Sequence, residues 1–102
     1  MTHHETIQEI RKMISEEDML CQLAEECAEL AQAALKLRRA VTQTNPTTVT
    51  NFEAIVNLQE EAADVLLCLR VLPATAASGR IVDSVIFSKA DRWLNRLREV
   101  RG

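Results

Sequence analysis

The chain has 102 residues, short enough for one domain and short enough that a lone domain covers only a modest share of its apolar surface. The apolar fraction is 47% but aromatics are only 3%, and two Gly and two Pro leave little turn chemistry, which excludes hairpin-rich β folds in favour of a few long helices cored by Ala, Leu and Val. A formal charge of −3 argues against a nucleic-acid partner, and no apolar run approaches the ~20 residues of a membrane span.

The opening stretch MTHHETIQEIRK lacks the apolar middle of a signal peptide, so a cytoplasmic, soluble protein is expected. Residues 4 to 14 place Ile7, Ile10 and Ile14 at helical intervals and predict a short amphipathic first helix. His3 and His4 adjoin near its start and read as a solvated pair, not metal ligands. Ser15 with Asp18 makes a weakened capping box, so a second helix is expected from about Glu16 to about Arg39, where Lys36, Arg38 and Arg39 suit the negative end of the helix dipole.

Residues 41 to 50 are polar, β-branched and broken by Asn45-Pro46, which predicts the one long loop. Thr50 with Glu53 repeats the cap signature and opens a third helix over about 51 to 72, with Pro73 just past its end. Residues 74 to 79 read as a short linker. From about Arg80 to Val100 the apolar residues Val82, Val85, Ile86, Ala90, Trp93, Leu94 and Leu97 trace a fourth helix. Cys21, Cys27 and Cys68 show no C-x-x-C spacing and are expected to be reduced residues in or near the core.

On the second helix, Leu20, Leu23, Cys27, Leu30, Ala34 and Leu37 fall in one arc, which predicts the core face. Glu26 lies at the edge of that arc and Glu29 follows on the same flank, while Glu25 points further round. The third helix is apolar on almost every side after Glu61, interrupted by Asp64. Acids in such a setting must shift their pKa, find a cation or bind a metal. An E-x-x-D opposite an E-x-x-E supplies the all-oxygen set that Mg²⁺ or Mn²⁺ prefers, and the E-x-x-H motifs of a di-iron bundle are absent. Taken alone, Glu25, Glu26 and Glu29 of the second helix would suit a solvated face better than a site.

The two acidic motifs, E25-E-C-A-E29 and E61-A-A-D64, with LAEECAELAQAALKLRR, NLQEEAADVLLCLRVL and SKADRWLNRL around them, resemble the MazG-like all-α nucleoside triphosphate pyrophosphohydrolases and their dimeric dUTPase relatives over about residues 16 to 98. The gap from Glu29 to Glu61 is longer than is usual for that family. The resemblance implies a four-helix, bundle-like subunit in which Glu26, Glu29, Glu61 and Asp64 hold Mg²⁺, with Glu25 or Glu26 catalytic. It implies hydrolysis of a (deoxy)nucleoside triphosphate at the α–β bond, giving a monophosphate and pyrophosphate, within a homodimer or homotetramer. Donors for the phosphates are offered by the cations Lys36, two turns beyond Glu29, and Lys89, Arg92 and Arg96 on the last helix, and by the Asn95 amide beside them; the resemblance favours Lys89. The rival expectation is a non-catalytic helical interaction or regulatory module, and a house-cleaning role toward modified nucleotides would differ in substrate alone.

Overall fold

The computed structural model describes residues 1–72 and 83–101, and these form four helices with no strand: α1 (His3–Met13), α2 (Glu16–Thr42), α3 (Asn51–Val71) and α4 (Asp83–Arg101). The expected boundaries hold to within a few residues, except that α2 continues past its terminal cations to Thr42. The readings of Pro73, the 74–79 linker, the start of the fourth helix at about Arg80 and Val82 lie outside the described residues. No described helix is long and apolar enough to cross a membrane.

Three helix starts are closed by hydroxyls. Ser15 Oγ accepts from the Asp18 amide and Thr50 Oγ1 from the Glu53 amide, as the cap signatures predict, and Thr2 Oγ1 accepts from Glu5, each at 3.1 Å. The end of α2 is tighter. Gln43 takes a left-handed conformation, φ 54°, and its amide bonds back to the Arg39 carbonyl at 2.8 Å. Its side chain supports the bend, donating to the Ala40 carbonyl and accepting from the Thr47 amide, which fixes how the chain enters the loop of residues 43–50.

Packing between α2 and α3 follows a seven-residue repeat. On α2 only Met19, Leu23, Glu26, Leu30, Ala33, Leu37 and Ala40 are not exposed, and they succeed one another in alternating steps of four and three. On α3 the same steps link Ala54, Leu58, Glu61, Val65, Cys68 and Leu72, all at least half-buried. Met19 clusters with Cys68, Val71 and Leu72, so the start of α2 meets the end of α3 and the two run antiparallel. One acid from each helix therefore stands in the seam.

This corrects half of the expected core face of α2: Leu23, Leu30 and Leu37 lie in the seam, but Leu20, Cys27 and Ala34 are exposed, because two overlapping apolar arcs share those leucines and the one through Met19, Glu26, Ala33 and Ala40 meets α3. Cys21 and Cys27 are exposed accordingly, and only Cys68 is buried. Nor is α3 enclosed on all sides: Ile55, Leu66 and Leu67 are exposed.

Helix α1 joins at the open end of the hairpin, where Ile7, Ile10 and Ile14 pack against the Met19–Leu72 cluster. Arg11 fastens it. Its Nε donates to the Val71 carbonyl at 2.9 Å, and its Nη2 to the Arg70 carbonyl at 2.6 Å and the Leu72 carbonyl at 3.5 Å. These are terminal carbonyls of α3, which the helix itself leaves without partners, and a guanidinium is well matched to the negative end of the dipole. Helix α4 contributes no buried residue between 84 and 101, so three of the four helices share the core.

Candidate metal centre

The seam brings together Glu26 and Glu29 of α2 and Glu61 of α3, with one carboxylate oxygen of each within 4.8 Å of the others. Glu26 and Glu61 are half-buried because they occupy seam positions, whereas Glu29, one turn along the flank, is exposed. The orientation of Glu26 is set by Gln22, whose Nε2 donates to Glu26 Oε1 at 2.8 Å. Sequence reasoning missed Gln22, although its place one turn before Glu26 is the signal that would find it.

The remaining oxygens decide what the cluster can do. Glu26 Oε2 and Glu61 Oε2 are buried and accept no hydrogen bond. A buried carboxylate oxygen without a donor is expensive, and here two of them come from facing helices beside a third acid. Burial pushes the Glu26 carboxyl above its usual range, and the charges of Glu29 and Asp64 push it further, while the Gln22 bond opposes them. A cation held among these oxygens would reverse each of those costs. The donor set is carboxylate oxygen throughout, which fits a hard divalent cation such as Mg²⁺ or Mn²⁺ and gives nothing specific to zinc. Cys68 lies close by, but burial and the neighbouring Glu26, Asp64 and Cys27 push its thiol pKa up, which keeps it protonated and a poor ligand.

The other expected site residues are dispersed. Asp64 is exposed one turn beyond Glu61, near enough for its charge to act on Glu26 but outside the trio of converging oxygens. Glu25 is exposed beside Glu26, and Lys36 is exposed on the same flank of α2 as Glu29. Lys89, Arg92 and Asn95 line one surface hollow with Ile86, Trp93 and Arg96, a hollow formed by α4 alone. Among the described residues no hydrogen bond or ion pair joins Lys36, Lys89, Arg92 or Asn95 to the acids, so the cations and the carboxylates stand apart within one chain.

No family model matches the chain, and neither a curated protein nor a solved structure matches it.

Proposed function

We propose that this chain is a Mg²⁺-dependent nucleoside triphosphate pyrophosphohydrolase, resembling the MazG-like enzymes, that converts a (d)NTP to the monophosphate and pyrophosphate as a homo-oligomer. The observation that carries the reading is that Glu26 and Glu61, each with a buried oxygen (Oε2) that accepts no hydrogen bond, offer carboxylate oxygens within 4.8 Å of one another and of Glu29. Acids at seam positions weaken the packing they sit in, so their presence there is better explained by a bound cation than by stability.

In this reading Glu26, Glu29 and Glu61 would hold the cation, with Asp64, one turn on from Glu61, as a further ligand. The cation, when bound, neutralises triphosphate charge and polarises the phosphorus under attack. Gln22 holds the Glu26 carboxylate by one oxygen, Oε1, and leaves the other, Oε2, without a hydrogen bond and available to a cation. Glu25, exposed and adjacent, accepts the proton of the attacking water. Lys36 binds phosphate oxygens from the flank it shares with Glu29, and Lys89, Arg92 and Asn95 do so from the hollow on α4.

Pyrophosphate release from each common NTP and dNTP, with and without Mg²⁺, tests the proposal. Release that requires the metal and disappears in Glu61→Gln is the expected result. Absence of release with every nucleotide would overturn it and leave the helical interaction module in its place.

A further inference from the structure

Trp93 is the only tryptophan of the chain, and on α4 it stands 63% exposed. Among the described residues its ring has neither a hydrogen bond nor a ring contact, so a large aromatic surface is left to water. The ring helps to line the hollow on α4, whose volume of about 770 Å³ lies within the ~300–1,000 Å³ of small-molecule sites.

Charge beside the ring says what fits there. At about 100° per residue, Lys89, one turn before Trp93, and Arg96, one turn after it, fall to the same side of the indole, with Arg92 further round that side. These cations span two turns, about 10 Å, and none has a hydrogen bond or ion pair among the described residues, although Asp91 and Glu99 share the helix. A flat platform bordered by uncommitted cations suits a ligand with an aromatic ring at one end and several negative charges at the other. A nucleic acid strand is a poorer fit. The basic flank passes into Glu99 after those two turns, and the chain as a whole is negative, whereas a strand needs a continued basic track.

We infer that Trp93 is the platform for the nucleobase, which lies flat on the indole while Lys89, Arg92 and Arg96 take the phosphates. The identity of the anion rests on the hydrolase reading above; the base contact goes beyond it. Because every base offers a π face, the platform holds any of them and favours a nucleotide over bare polyphosphate without choosing among bases.

The ring is its own reporter, since a chain with one tryptophan and no tyrosine owes its indole emission to Trp93 alone. In titrations of the full chain without Mg²⁺, where the hydrolase reading allows no turnover, ATP, GTP, CTP and UTP are each expected to quench that emission saturably. Their dissociation constants should agree within about tenfold. Inorganic tripolyphosphate should leave the emission nearly unchanged yet displace a bound nucleotide, because it occupies the same cations. By calorimetry, Trp93→Ala should weaken ATP about tenfold or more and leave tripolyphosphate binding as it was, with Trp93→Phe recovering part of the loss. The absence of saturable quenching by any nucleotide, equal quenching by tripolyphosphate, or a Trp93→Ala chain that binds ATP like the parent overturns the inference. None of these readouts involves turnover. The platform can therefore fail while Mg²⁺-dependent release of pyrophosphate stands, and release can fail while the base still stacks.

Discussion

Glu61 holds a place where the seven-residue repeat calls for an apolar side chain, and Glu26 faces it from α2. Glu61→Gln keeps the shape and removes one of the converging charges. The metal-free protein should therefore melt a few degrees higher, while the rise in melting temperature produced by Mg²⁺ in the parent should vanish. Thermal scans of both proteins with and without Mg²⁺ check this, and a variant that responds to Mg²⁺ like the parent would remove Glu61 from the ligand set. The pH dependence follows from Glu26, whose folded carboxyl lies above the ordinary 4.5 because of burial and the Glu29 and Asp64 charges. The folded state then holds a proton that the unfolded state releases, so this contribution is complete below 4.5 and is lost as pH rises through the folded value. Metal-free parent protein should accordingly lose stability relative to Glu26→Gln as pH climbs from 4.5 toward neutrality, measured as the difference between their urea midpoints. At this scale the sequence showed the acids and their helices. It hid the phase of α2, because Leu20, Cys27 and Ala34 offer as good an arc as Met19, Glu26 and Ala33, and burial alone tells the two apart.

Among the elements, α1 is docked by one polar side chain as well as by its three isoleucines. Arg11 supplies hydrogen bonds to the Arg70, Val71 and Leu72 carbonyls, so it caps α3 and fastens α1 at once. Arg11→Ala should cost about 1–2 kcal/mol in thermal or urea unfolding, with Arg11→Lys recovering a part, since a lysine keeps the charge but not the planar fork of donors. Equal stability of all three would show that the three isoleucines alone dock the helix. The caps at Ser15 and Thr50 were legible because a hydroxyl three residues before an acid has a local meaning. Arg11 was not, because its partners lie some 60 residues away and carbonyl groups leave no mark in a sequence.

For the molecule as a whole, helix content and order could be read from periodicity, but the fate of α4 could not. The expectation of a bundle-like subunit meets a chain in which, among the described residues, α1, α2 and α3 share the core and α4 contributes no buried residue. The acid trio adds a further property to that core by dividing it. Toward the loop the buried seam residues are Ala33, Ala40 and Ala54; toward the open end they are Met19, Cys68 and Leu72, gripped by α1. The mid-seam repulsion makes a natural point of cleavage between a half zipped beside the loop and a half that opens with α1 as one cooperative unit. Cys68 lies in the opening half and is its own reporter, since Cys21 and Cys27 are exposed and react with a thiol reagent at once. Without divalent cation, Cys68 should be modified in a slow phase that records the transient parting of the hairpin. Mg²⁺ should slow that phase without altering the fast one, as a rivet set at the middle of a hinge stops the leaf from swinging.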